Sequence, residues 1–247
     1  MATHSSVAVA AGVSILAICR VRQGFERYKD EGYRPVFQPR GPAFGVAWFG
    51  IYAATFTAPV VGLAGGIEEL PWAAAGLAIA AWLGCAAWVL LFDVSSASKL
   101  GGAAAAIFVA AATSVAAAEV TLGEAEARGA GKDPKSAVSA VPLSLLGGWL
   151  LLASALQIDL LRVYVGKRGQ REETVELGSF EGGLVVVGLA VLVGGMALFF
   201  LDAALPIPVF VGCFFQSPRT KMYGLIGMAV SALSVALSVA GRVGNWW

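Results

Sequence analysis

Phe44, Trp48 and Tyr52 recur at every fourth position in the stretch GPAFGVAWFGIY, which carries no charge. Four-residue spacing places the three rings on one stripe of a helix. Rings arranged in that way offer a wall to a planar, apolar ligand, with the Tyr52 hydroxyl and the Gln157 amide as polar groups able to orient it. The same stripe serves as packing between membrane helices, and the residues alone leave both readings open.

The rest of the chemical inventory is sparse. His4 is the only histidine, so the apolar stretches offer no pair of imidazoles to hold a haem or a transition metal. Cys19, Cys85 and Cys213 lie far apart in sequence, without the close spacing of a zinc or iron-sulfur site. They are expected to be buried small hydrophobes. Asp93, Asp159 and Asp202 each end an apolar window. An acid beside a membrane segment is a functional candidate, whereas one that reaches the interface is simply solvated. Asp202 is the strongest of the three, because the proline-containing segment after it can line a cavity. No nucleophile has a plausible base in reach and no phosphate-binding Gly-Lys-Ser/Thr arrangement is present, so an enzyme is not expected.

The elements that position these residues follow from composition. Hydrophobic residues make up 58% of 247 positions and charged ones 13%, with mean hydropathy +0.77, which describes a membrane-embedded chain. Seventeen Lys and Arg nearly cancel sixteen Asp and Glu, and no bulk charge draws the protein to nucleic acid. A helix needs about 20 mainly apolar residues to cross the hydrocarbon core. Charge-free windows give seven such spans in one integral membrane domain, over 5–19, 42–65, 71–92, 100–119, 138–161, 182–202 and 221–242. The segment 203–216 carries Pro206 and Pro208 and reads as a broken or re-entrant tail of the sixth span. The expected fold is an all-α polytopic membrane bundle.

The first window can also be read as a secretory signal. It lacks the basic n-region of such signals, and Ile18 stands where a lipoprotein cleavage box needs a small residue, so a retained short helix is the expectation. With seven spans, twelve basic residues share the side of the first loop and the C-terminus, against five on the other. That excess places the C-terminus on the cytoplasmic, stromal or matrix side. An organellar location in this orientation is a thylakoid or an inner mitochondrial membrane.

Small residues crowd the spans. Residues 101–118 are mostly Gly, Ala, Ser, Thr and Val, and Ala232, Ala236 and Ala240 repeat beside Ser231, Ser234 and Ser238. Such positions let helix backbones approach closely. They serve either tight internal packing or a smooth outer face for another subunit, a carotenoid or a chlorophyll. A chlorophyll magnesium would need Gln157, a carboxylate, a backbone carbonyl or water as its ligand.

PAFGVAWFGIY resembles the motif that opens the TspO/MBR family of tryptophan-rich sensory and translocator proteins. AWLGCAAWVLLFD is similar to that family's Trp-bearing third helix. VPLSLLGGWLLLASALQI resembles the last core helix of a distant branch with extra transmembrane helices, and FLDAALPIPVFVGCFF resembles a late segment of that branch. The resemblance implies a five-helix core with added helices. It also implies an aromatic pocket for a porphyrin, sterol or other flat lipophile, lined by Phe44, Trp48, Tyr52, Trp88 and Trp149. This sequence has Gln157 and Cys85 where the family usually or often has Asn, and YRPVFQPR replaces the Trp-bearing loop before the second helix.

Three functions are therefore expected in order. The first is a non-catalytic TspO-like protein binding a flat lipophilic ligand. The second is a structural or pigment-contacting accessory subunit of a photosynthetic (photosystem–antenna) or respiratory complex, in contact with lipids and other membrane subunits. A small transporter comes last, because only Asp202, Gln157 and scattered hydroxyls offer a polar path.

Overall fold

The computed structural model describes Gly12 and residues 48–51, 53–55, 71–92, 96–127, 134–167, 179–200, 202–214 and 221–244. Among these residues all regular structure is α-helical. Residues 48–51 and 53–55 are helical, followed by α1 (Trp72–Leu91), α2 (Ala97–Ala127), α3 (Pro134–Lys167), α4 (Ser179–Phe200), α5 (Ile207–Phe214) and α6 (Lys221–Gly244). Four stretches are long and apolar enough to cross a membrane: Trp72–Leu91, Ala97–Ala127, Ser139–Ile158 and Met222–Gly241. They are consistent with an integral membrane protein. The apolar part of α4, Leu184–Phe199, is shorter. The expected span 5–19, apart from Gly12, and most of 42–65 lie outside the described residues.

The helix starts follow local chemistry. Pro71 precedes α1, where its missing N–H costs nothing, and its carbonyl accepts from Ala75 N at 2.9 Å. Ser96 precedes α2, with Oγ 3.5 Å from Lys99 N and its carbonyl 2.9 Å from Leu100 N, the arrangement of an N-cap. Pro134 opens α3.

Close approach between helices rests on glycines and alanines, because lipid supplies no hydrophobic drive for pairing. A methyl group at Gly84 of α1 would come to 2.8 Å from Ala110 Cβ of α2, while one at Gly102 would lie 3.3 Å from Leu91. These contacts make α1 and α2 antiparallel. Ser114 Oγ donates to the Leu143 carbonyl at 2.8 Å, and Gln157 Nε2 to the Leu100 carbonyl at 3.2 Å, so α2 and α3 are antiparallel as well. Trp82, Ile107, Leu146, Trp149, Leu150 and Leu152 fill the core of this three-helix unit.

The segment expected to be broken over 203–216 is a turn at 202–206 followed by the short helix α5. Asp202 builds the turn: its N–H donates to the Ala197 carbonyl at 2.9 Å, and its Oδ1 accepts from Ala204 N at 2.9 Å and Leu205 N at 3.3 Å. The two prolines start the helix. Phe210 N donates to the Pro206 carbonyl at 3.0 Å, and Pro208 occupies the first turn, where the N–H has no intrahelical partner.

Leu205 packs on Gly147 and Gly148, and Gly212 on Leu152. Hence α5 runs parallel to α3, beside the middle of the apolar stretch Ser139–Ile158. The contacts of α6 with α4 advance together along both helices. Gly227 meets Val186 and Ala190, Val230 and Ser234 meet Gly194, and Ser238 Oγ donates to the Ala197 carbonyl at 3.0 Å. α4 and α6 are therefore parallel, and the chain between them returns.

Candidate functional site

Four of the six residues singled out in the sequence make two contacts within the core, Trp48 with Trp149 and Trp88 with Gln157. Trp88 sits on the face of α1 that also buries Ala81 and Cys85, and Trp149 and Gln157 lie two turns apart on α3. Trp48 comes from the helical residues 48–51. Trp48 and Trp149 meet edge to face, with ring centroids 6.3 Å apart and an interplanar angle of 73°, a favoured geometry for aromatic quadrupoles. Trp149 is 1% exposed, whereas Trp48 is only half-buried. Phe44 and Tyr52 lie outside the described residues.

Gln157 joins the three helices. Its Oε1 accepts from Trp88 Nε1 at 3.3 Å, and its Nε2 donates to the Leu100 carbonyl at 3.2 Å. The residue is 1% exposed, and a buried amide in an apolar surround requires such partners. Both ends of the amide are thus engaged inside the protein. Gln157, expected to orient a ligand, makes a helix-clamping bond at each end.

Two members of the cluster were not anticipated. Phe92 packs on Trp88 with centroids 5.6 Å apart and planes at 58°. Its signal was present in the sequence, since Trp88 and Phe92 repeat the four-residue aromatic step of Phe44, Trp48 and Tyr52. The Leu100 carbonyl, by contrast, is a backbone acceptor at the start of α2, and no side-chain pattern marks it. Trp82, 2% exposed, fills the core below Trp88.

The cysteines behave as expected where they are described: Cys85 and Cys213 are free and buried. Cys213 packs on Gly227. Among the described residues no group of three or more His, Cys, Asp or Glu side chains could hold a metal ion.

Asp202 does not reach an exposed helix end. It is 4% exposed, and its Oδ2 is buried without a hydrogen-bond partner. The turn it caps lies against α3, where a methyl group at Gly148 would collide with the Leu205 carbonyl oxygen. No cavity is therefore left between the turn and α3 at that point. Ser231 Oγ of α6 is likewise buried without a hydrogen-bond partner.

The serines and alanines of α6 part company. Ser231, Ser234 and Ser238 are buried, the last two against α4, while Ala232 and Ala236 are exposed and Ala240 is half-exposed. The serine stripe does the internal packing. The alanine stripe belongs to the outer surface beside Leu233 and Leu237.

The chain matches no protein-family model, no curated protein and no solved structure.

Proposed function

We propose that this chain is a non-catalytic, TspO-like integral membrane protein that binds a flat lipophilic ligand, of the tetrapyrrole, sterol or pigment class, against the Trp48–Trp149 wall. The observation that carries this reading is the edge-to-face contact of Trp48 with Trp149, two rings more than a hundred residues apart in sequence. Trp48 is the accessible member, half-buried over the fully buried Trp149, so a planar ligand would meet its ring first. Gln157 is already satisfied by Trp88 and Leu100. Recognition is therefore by ring surface and shape, and Gln157 clamps α1, α2 and α3 together without touching the ligand.

The test is a titration of the detergent-purified protein with a metal-free porphyrin, read by quenching of Trp fluorescence. Saturable quenching in the unchanged chain, weakened at least tenfold by Trp48→Ala, supports the reading. Unsaturable quenching that is the same in both chains contradicts it.

A second reading, the structural accessory subunit of a larger photosynthetic or respiratory complex, is favoured by a different observation. Only 33% of the Met222–Gly241 stretch is buried, and its outward Ala232 and Ala236 leave a smooth surface. Small residues suit close helix approach by another subunit. On this reading the aromatic cluster is packing and the protein binds little in isolation.

A further inference from the structure

We propose that α4 and α6 enter the membrane from the same side, so that the C-terminus lies opposite the loop between α3 and α4. Charge-free windows give one crossing for 182–202 and the next for 221–242, with 203–216 as a tail of the first, and place those two spans in opposite directions. The packing gives the other answer.

Three contacts settle the relative direction of α4 and α6. From Gly227 to Ser238 along α6, the facing residues advance from Val186 and Ala190, through Gly194, to Ala197 of α4. An antiparallel pair would make these partners recede. The intervening helix supplies the return. Leu205, at its start, lies against Gly147 and Gly148; Gly212 lies against Leu152, and Cys213 against Gly227 near the beginning of α6. The chain thus descends in α4, turns at Asp202, climbs in α5 and descends again in α6. α4 with α5 forms a helical hairpin, whichever depth its turn reaches.

The charges agree with this path better than with seven single crossings. Adding the return moves Arg219 and Lys221 to the side of the α3–α4 loop, which carries Lys167, Arg168 and Arg171, and moves Arg242 away from it. With the basic first loop placed as in the sequence reading, twelve basic residues against five become thirteen against four. Basic loops concentrate on the cytoplasmic, stromal or matrix side. The C-terminal Trp246 and Trp247 are then assigned to the opposite interface, together with Arg128 and Lys132 between α2 and α3.

Single cysteines introduced by Gly131→Cys, Gln170→Cys, Ser217→Cys and Asn245→Cys decide the matter. Each variant is expressed in the full chain, and sealed vesicles of known orientation are treated with a membrane-impermeant maleimide. The unchanged chain, with Cys19, Cys85 and Cys213, sets the baseline. The expected result is that Gln170→Cys and Ser217→Cys label from one side, while Gly131→Cys and Asn245→Cys label from the other. Labelling of Asn245→Cys from the same side as Gln170→Cys overturns the proposal. A C-terminal fusion to a reporter active on one side of the membrane only gives the same decision if a position fails to label.

Discussion

The indole N–H of Trp88 on α1 donates to Gln157 Oε1 on α3 across 3.3 Å, and the other end of that amide holds the Leu100 carbonyl on α2. One side chain thereby ties three helices together. Gln157→Leu keeps the volume roughly constant but leaves the Trp88 N–H without its acceptor. An interhelical hydrogen bond in a membrane protein contributes about 0.6 kcal/mol on average, and a buried donor left unpaired costs about 1–3 kcal/mol. The expected loss is therefore on the order of 1 kcal/mol, seen as a lower midpoint of thermal unfolding in detergent and as a shift of Trp emission. A Gln157→Leu chain as stable as the original would show that the amide is not a clamp.

Gly148 lies directly under the Leu205 carbonyl oxygen, with Pro208 Cδ 3.2 Å from where a methyl group would stand. Gly148→Ala must push the α5 turn away from α3, because the colliding atom is backbone and cannot rotate aside. Overpacking of this kind costs about 1–3 kcal/mol. Gly76→Ala is the matched control, since nothing lies within 4 Å of its added methyl. It is expected to be neutral or slightly stabilising through better helix propensity. Equal unfolding midpoints for the two variants would contradict the packing of α5 on α3.

Asp202 Oδ1 accepts two backbone N–H groups and so acts as a cap for the turn into α5. Asp202→Asn keeps an oxygen acceptor there and places an N–H donor at the site of the unpartnered Oδ2. Asp202→Ala removes the cap, and loss of such a cap costs about 1 kcal/mol. Stability is expected to fall in the order Asn, then Ala, with Asn close to the original chain. If Asn proves as damaging as Ala, the carboxylate itself matters, and Asp202 has a role beyond the turn.

Ser238 Oγ reaches the Ala197 carbonyl, whereas Ala236 faces outward. Ser238→Leu is expected to separate α6 from α4 and lower the unfolding midpoint by several degrees. Ala236→Leu adds bulk only to the outer surface and is expected to leave the isolated protein unchanged. Should Ala236→Leu nevertheless remove the chain from a larger native assembly, the accessory-subunit reading gains the direct support it needs.

The windows 71–92, 100–119, 138–161 and 221–242 were legible because apolar length alone specifies them; the helices only extend further, α2 to Ala127 and α3 to Lys167. The region around Asp202 was harder. Pro206 and Pro208 signal a break in a helix and equally the start of one, and only the Phe210 to Pro206 bond and the contacts of Gly148 tell which. Directions of α4 and α6 were invisible for the same reason, since a short returning helix leaves too small an apolar window to register as a crossing. Trp88 and Trp149 were found through a family resemblance, and Trp48 through four-residue spacing. That same spacing also marked Phe92, which the reading passed over. The partners of Gln157 were illegible, because one is a backbone carbonyl and the other lies 69 residues away.

The most direct measurement of the central claim is gentle detergent extraction of the tagged protein from its native membrane, followed by size separation with absorption and Trp emission recorded across the fractions. The expected result is a small species that retains a flat lipophile or takes up an added porphyrin saturably, with both properties lost in Trp48→Ala while the elution position is unchanged. Migration only with a large pigmented or respiratory complex, and no uptake by the protein alone, would contradict it and leave the Trp48–Trp149 contact as packing.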